Sequence, residues 1–492
     1  MKLEFVTAKN GELSAKYAET FLHSSYAPSK EAQRIIDSLE LPYTPKIVVF
    51  TEPCLAYLNT AFKSRFPNIK TLCIRYIKGF DKFNSGFDYV INYFEHEKDF
   101  ELYLEKNFDE LTLMSIFLID WKPSSIVFAQ TDQNVKLALK TVINNAKTIL
   151  VTRQYFEKKW LINSCNFVRY VTKQVSLIGT IQKPVLLVSS GPSLKPCLEL
   201  IKQHSKSFFI LALSSSLSVL LQNHIIPDLV MSTDGGFWAG EHLKKIRQYE
   251  LPLALPAEAF CQKSLLQKCS IFPLCYSDGM SSVLLKHTAF DFIEIERNGT
   301  VSGSALQFAL QYCLKDIYLC GLDMSNQKGF QHAQPNEIEC NNSLKDFRLF
   351  SKEKRSAGAE FNKGVLGLYA RWFENAEMNG RTVYRIIDKT YKKNSLGQII
   401  DISSADFKKK IQNLSSNKNS EKKLFVEKTI NNDFNKLLPV IDQISKTEEW
   451  KKTIFPLDTV SLSHNPQNME LAQKIEERNN NLLKKLRKIL DD

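Results

Sequence analysis

Short unbroken apolar runs alternate with amphipathic stretches along most of the chain. Residues 47–50 (IVVF) form one such run, closed by the polar turn Thr51-Glu52-Pro53. A helix is predicted over 55–65 and a second strand over 71–76. Residues 125–129 (SIVFA) and 149–152 also read as strands, with a helix between them over 135–146. From residue 184 the alternation sharpens. Buried strands are predicted at 184–188, 208–213, 229–232 and 316–320, with shorter ones at 253–255 and 272–275. Helices follow the first of these, to about 204, and the segment 300–304, to about 314. Continuous apolar strands separated by helices imply a mainly parallel sheet covered on both faces, the doubly wound pattern. Past residue 400 the pattern becomes helical, near 425–444 and 471–490. Lys408-Lys409-Lys410, the polar run 415–420 and Arg478-Asn479-Asn480-Asn481 read there as a solvated face. The expected organisation is α/β throughout: an N-terminal Rossmann-type α/β domain over 1–165, a central α/β domain over 166–400 and a helical C-terminal region over 401–492.

Composition narrows the class. A chain of 492 residues suggests two or three domains, and 43% hydrophobic with 24% charged residues excludes wholesale disorder. No apolar run reaches 18 residues, so no membrane-spanning helix is expected. The first residues, MKLEFVTAKNGELSAKY, lack an apolar signal core, and the ten cysteines are scattered without a CxxC pair. A cytoplasmic location with reduced thiols is the expectation. The net charge of +12 suits an anionic partner. Nucleic acid is not expected, because no basic helix carries interleaved aromatics.

Four motifs sit where ligands bind in open α/β sheets, at the carboxyl ends of strands. The first is Ser189-Ser190-Gly191-Pro192-Ser193-Leu194. Its glycine allows close approach, and the following helix start offers free amides to an anion. Neither GxxxxGK[ST] nor GxGxxG is present. The second is Thr233-Asp234-Gly235-Gly236, whose acid can accept hydrogen bonds from a sugar hydroxyl or cap the next helix. The third is Thr300-Val301-Ser302-Gly303-Ser304, a second anion cradle in which Ser302 or Ser304 is the expected cap. The fourth is Gly321-Leu322-Asp323, with Ser325 and His332 in the loop beyond it. A loop histidine beside a phosphate site can act as general base or hold a leaving phosphate. No carboxylate pair of the kind that holds a divalent ion accompanies them, so no metal ligands are assigned.

Taken in this order, GPSL, PD…STD and VSGSALQFALQYCLKDIYLCGLDMS followed by HA resemble the motility-associated factor (Maf) family of flagellin glycosyltransferases, over about residues 180–390. The same framework looks like that of bacterial sialyltransferases of glycosyltransferase family 42. The resemblance implies a central GT-A-like variant fold. It implies transfer of a nonulosonic acid (pseudaminic, legionaminic or sialic type) from a CMP-activated donor to Ser or Thr of flagellin, supporting motility, with no further cofactor. It places Gly191, Pro192 and Ser193 under the nucleotide. Ser214, Ser215 and Asp234 would approach cytidine, ribose or sugar, and Ser302 and Gly303 the donor carboxylate or phosphate. Ser190 stands where the sialyltransferases have Asn. Their two phosphate-holding tyrosines are unmatched, with Ser325 and His332 near those places, and their downstream base histidine has no equivalent. His332 is the candidate for one of the two proton and phosphate roles, and Asp234 the second candidate base. Lys363, Tyr369 and Arg371 lie in the stretch FNKGVLGLYARWF, which has two readings, a segment that closes over the donor or an amphipathic core helix with Arg371 at its solvated edge. The central segment also resembles pyrophosphokinases acting on hydroxymethyl-dihydropterin, and a flagellin-binding protein without catalysis is the third reading. The oligomeric state is not set by any motif.

Overall fold

The computed structural model describes residues 3–362, 364–412, 424–431 and 434–491. Lys363 and the run 415–420 therefore lie outside the described residues. The chain divides into two compact units, Met1–Tyr155 with Thr447–Asn480, and Phe156–Lys446 with Asn481–Asp492. These units are drawn differently from the three-part expectation: the segment 401–492 is shared between them.

In the first unit an antiparallel meander of β1 (Leu3–Thr7), β2 (Leu13–Tyr17) and β3 (Thr20–Phe21) precedes a four-stranded parallel sheet. That sheet contains β4 (Ile47–Thr51), β5 (Lys70–Arg75), β6 (Tyr89–Asn92) and β7 (Ile116–Asp120), in the order β6-β5-β4-β7. All five residues of β4 are buried, as an unbroken apolar run requires in a sheet covered on both faces. Two expected strands are corrected. Residues 125–127 lie in the helix Lys122–Val127, which Phe128 caps, residues 129 and 149–152 lie in the helix Ala129–Tyr170, and the fourth strand is β7. Pro123 opens the first helix, where a missing N–H costs nothing. In the second, Val135, Leu139, Val142, Ala146 and Leu150 are all buried. That spacing of three and four carries the helix straight through the short apolar run that imitates a strand.

The second unit is built on one sheet. Its strands are β8 (Lys173–Leu177), β9 (Val185–Val188), β10 (Phe209–Leu213), β11 (Leu229–Met231), β12 (Leu253–Pro256), β13 (Ile271–Tyr276), β14 (Ile293–Ile295), β15 (Ile317–Cys320), β16 (Val383–Ile386), β17 (Ile400–Ile402) and β18 (Phe425–Thr429). Their order is β17-β16-β15-β9-β10-β11-β12-β13-β8-β18, with β14 also on β13. The pairs are parallel except β18 with β8. Residues 425–429 are thus an edge strand, not the start of a helix, because pairing from Phe425↔Leu177 to Thr429↔Lys173 supplies their backbone hydrogen bonds. The helical C-terminal character begins at the helices Phe434–Ile444 and Met469–Asp491.

The sheet has helices on both faces. Val185 and Leu187 of β9 pack with Ala305, Leu306 and Phe308 of the helix Val301–Tyr312. Leu186 and Val188 turn the other way, onto Leu194 and Ile201. Each such side chain contributes about 1.5–3 kcal/mol by leaving water. What matters for function is the order. From β9 the chain steps through β10 to β13 in one direction, and β15 to β17 step away in the other. The reversal between β9 and β15 is a topological switch point, the position at which open α/β sheets bind ligands.

Candidate functional site

The first and fourth motifs flank the switch point. The Ser189 amide donates to Cys320 O (2.8 Å), and the Gly191 amide to Gly321 O (2.8 Å). The Ser193 hydroxyl donates to Asp323 Oδ1, and the Ser193 amide to Asp323 Oδ2 at 3.2 Å. Both glycines are needed for this approach. A Cβ on Gly321 would lie 2.3 Å from Ser189 O, and one on Gly191 would lie 2.5 Å from Gly321 O. Asp323 is buried, and burial raises its carboxyl above the usual range against the Ser193 hydrogen bonds and the Arg385 charge. Its carboxylate ties one loop to the other. Pro192 opens a 3-10 turn, Pro192–Cys197, ahead of the short helix Leu198–His204. The hydroxyl of Ser189, just past β9, is buried with no hydrogen-bond partner among the described residues.

The next strand adds the serine turn Ser214–Ser216. Ser216, which no motif singled out, makes the structural tie: its hydroxyl donates to Val188 O (2.7 Å) and Leu213 O (2.8 Å). Ser214 is buried and Ser215 half-buried. The loop beyond β15 folds back over these ends. The Ala333 amide donates to Ser190 O (2.7 Å), and Asn336 Nδ2 to Ser215 O (3.1 Å). His332 is thereby held near the ends of β9 and β10. Its Nδ1 lies 3.5 Å from Glu339 Oε1, with the side chain 29% exposed. Glu339 is buried and also accepts from the Gln331 amide (2.9 Å) and Arg355 Nη1 (3.1 Å). Burial works against its charge, but the nearby His332 ring and the hydrogen bonds from Gln331 and Arg355 outweigh it and hold the carboxyl at about 2. Ser325 turns away to Lys392 O and Gln327 Nε2. Hydrogen bonds thus link Ser190, Gly191, Ser193, Ser215, Asp323 and the loop of His332 at the ends of β9, β10 and β15, with Pro192 and Ser214 next to them in the chain.

The remaining predicted residues lie farther along the same edge. Asp234 is exposed and accepts from the Gly236 amide (2.9 Å) in the turn leading into the helix Phe237–Leu243. Thr233 and Ser304 both reach the Tyr276 phenol. The expected cap is corrected: Thr300, not Ser302 or Ser304, is the N-cap of Val301–Tyr312, and its hydroxyl accepts from the Gly303 amide at 3.0 Å. Gly303 is a glycine because a Cβ would lie 2.5 Å from Asn298 Oδ1, and Asn298 in turn accepts from the Thr300 amide (3.2 Å). Tyr369 touches the other glycine of this turn, 3.2 Å from the position of a Cβ on Gly299.

Sequence reasoning missed a charged cluster at the ends of β12 to β14. Arg297 donates from Nη2 to Glu258 (2.8 Å) and from Nε to both oxygens of Asp278 (3.1 Å each). Its guanidinium lies 4.2 Å from the Tyr276 ring centre and 4.5 Å from that of Trp160. Glu157 completes the group. A Cβ on Gly279 would lie 3.1 Å from Glu157 Oε1 and 3.6 Å from Glu258 Oε1. Burial raises the Glu157 carboxyl to about 8; the Glu258 charge adds to this and Arg297 opposes it. Burial also raises Glu258. Glu258 and Asp278 each follow a strand by two residues, as Asp234 nearly does, and that position was the available signal. Arg297 stands in the same relation to β14, and Glu157, inside a long helix, had no such signal. Buried acids of this kind mark functional edges.

The shifted Glu157 has a consequence for stability. Its folded value lies above the unfolded one, so its contribution is complete below about 4.5 and is lost as pH rises through about 8. Glu157→Gln keeps the shape and removes the titration. The variant should gain on the wild type by a few kcal/mol (order of magnitude) between those limits. Unfolding midpoints across this pH range check it, and parallel curves for the two proteins would reject it.

Comparison with known proteins follows this geometry. Residues 153–329 match a family model described as MptE-like, 6-hydroxymethylpterin diphosphokinase MptE-like. The matched segment runs from before Glu157 to beyond Asp323. Two proteins of Treponema pallidum (strain Nichols), both described as uncharacterized, are similar. One is 32% identical over 267 residues, covering 54% of this chain and 58% of that protein. The other is 24% identical over 212 residues, covering 42% of this chain and 37% of that protein. The chain therefore spans little more than half, or less, of these relatives. Among solved structures, a MAf glycosyltransferase from Magnetospirillum magneticum AMB-1 aligns at a TM-score of 0.49 and 11% identity, covering 100% of this chain and 90% of that one. A likeness of that size carries no argument about activity. Among the described residues, no helix is long and apolar enough to cross a membrane, and no group of three His, Cys, Asp or Glu is placed to hold a metal ion.

Proposed function

We propose that the protein is a glycosyltransferase that moves a nonulosonic acid from a CMP-activated donor to Ser or Thr hydroxyls of flagellin in the cytoplasm. The observation that carries this reading is the β9/β15 switch point, where paired glycines join the two loops and the loop beyond β15 folds back with His332 beside a buried carboxylate. The sequence resemblance to Maf proteins supplies donor and acceptor.

In the proposed reaction the acceptor oxygen bonds to the anomeric carbon, and the bond from that carbon to the phosphate oxygen breaks. CMP leaves with the electron pair, and the acceptor proton passes to the protein. His332 suits the proton role. Its Nδ1 lies 3.5 Å from Glu339 Oε1 without a hydrogen bond, so the carboxylate is placed to stabilise the imidazolium once the ring has taken the proton. Asp234 is the weaker base, because one of its oxygens serves its own turn. Negative charge growing on the phosphate needs amide donors. The first-turn amides of Val301 and Ser302 can supply them, since Thr300 engages the Gly303 amide.

Purified protein, CMP-nonulosonate and flagellin should yield flagellin heavier by whole sugar units in intact-mass measurement. Turnover should persist in excess EDTA, because the carboxylates of this edge are already engaged, Asp323 by Ser193, Glu339 by Arg355, and Glu258 and Asp278 by Arg297. The matched family supports a second reading, diphosphate transfer from ATP to a hydroxymethylpterin. Unchanged flagellin mass, with Mg²⁺-dependent consumption of ATP on adding the pterin, would replace the first reading by the second.

A further inference from the structure

The loop region that braces His332 also carries an exposed apolar tip. Phe347 and Phe350 close a tight hairpin, exchanging amide-to-carbonyl bonds of 3.1 and 3.0 Å, with Arg348 and Leu349 at the turn. Leu344 is 85% exposed, Phe347 59%, Leu349 76% and Phe350 51%. Four large apolar side chains in seven residues, all open to water, oppose the hydrophobic effect unless something covers them. The charges around them are mainly positive. Lys345, Arg348, Lys352 and Lys354 surround the tip, whereas Asp346 is paired with Arg355 (2.9 and 3.1 Å), leaving Glu353 as the acid of the rim. The hairpin is not a detached loop. Asp346 holds Arg355, Arg355 Nη1 donates to Glu339 (3.1 Å), and Glu339 faces His332 (3.5 Å).

We propose that this hairpin docks the acceptor protein, through a partner surface that is apolar at its centre and acidic at its rim. The inference rests on the transferase reading and names the part of the enzyme that meets the macromolecular substrate. Three features select a protein acceptor. The tip is apolar, its rim is cationic, and one chain of charged contacts joins it to the residue proposed to take the acceptor proton. Large exposed side chains at such a centre carry most of the binding energy of protein interfaces, and a cationic rim speeds encounter with an acidic partner.

The test uses the full chain, purified flagellin monomer as probe, and two variants. Leu349→Asp alters the turn tip, where no packing is lost, and Lys345→Glu reverses a rim charge. Titration of flagellin by calorimetry should weaken about tenfold or more for Leu349→Asp. KM for flagellin should rise in step, while hydrolysis of CMP-nonulosonate in the absence of acceptor stays at the wild-type rate. Lys345→Glu should lower the association rate, most at low salt. Wild-type affinity for flagellin in both variants overturns the proposal. So does binding of wild-type protein to anionic phosphatidylserine vesicles but not to flagellin, or self-association that Leu349→Asp abolishes. If the variants weaken flagellin binding but neither they nor the wild type consumes CMP-nonulosonate, the docking surface stands and the transferase reading falls.

Discussion

His332→Ala should slow sugar transfer to flagellin by about 10²–10⁴-fold while leaving the affinity for CMP nearly unchanged. The expectation follows from how the side chain is held. Its loop is anchored by Ala333 to Ser190 and by Asn336 to Ser215, and its Nδ1 faces a carboxylate that is charged at every working pH. That charge is placed to stabilise the imidazolium formed when the ring takes the proton. Glu339→Gln keeps the volume and removes the negative charge beside Nδ1, so kcat should fall by about tenfold with KM for flagellin unaltered. The measurement is steady-state transfer for both variants, with CMP binding by calorimetry as the control. Equal loss of CMP affinity and turnover in His332→Ala would mean that the loop builds the donor pocket and that the proton goes elsewhere.

How much of this was legible in the sequence depends on how local the signal is. The two glycines were legible one by one, because each follows an unbroken apolar run, and a helix start is written within ten residues after Gly191. What could not be read there is that the two glycines meet. That contact depends on the strand order, which pairs β9 with β15 across 130 residues of chain. The third motif was placed at a helix start but misread in detail. The pattern Thr300-Val301-Ser302-Gly303-Ser304 contains three plausible caps, and Asn298 decides among them by claiming the Thr300 amide and filling the space beside Gly303. The Glu157, Glu258, Asp278 and Arg297 cluster was out of reach. Its members come from four separate segments, and nothing in any one of them shows that burial will raise an acid. The misread strands at 125–129 and 149–152 fail for a third reason: four apolar residues have no period, so only the longer window over the helix Ala129–Tyr170 decides.

Gly321→Ala should be the most damaging small substitution in the second unit, lowering stability by about 3–5 kcal/mol, at the far end of what single changes do. Two effects add. Gly321 has φ +72, where a residue with a Cβ is strained by roughly 1 kcal/mol. The Cβ would also sit 2.3 Å from Ser189 O and 2.9 Å from Ser189 C. Both are backbone atoms at the end of a central strand, so no rotamer change relieves the clash. The loops after β9 and β15 would have to part. That motion would break the bonds from the Ser189 amide to Cys320 O and from the Gly191 amide to Gly321 O, and it would leave the buried Asp323 carboxyl without Ser193. A buried donor or acceptor left without its partner costs about 1–3 kcal/mol more. The control is Gly367→Ala in the helix Leu366–Asn375, where φ is ordinary and nothing lies within 4 Å of the new Cβ. That change should stabilise by about 0.5–1 kcal/mol, because alanine surrenders less freedom on folding. Urea unfolding of the three proteins decides it. Midpoints that coincide for Gly321→Ala and wild type would mean that the switch-point corner yields freely, and the rigid floor on which the donor is proposed to rest would not exist.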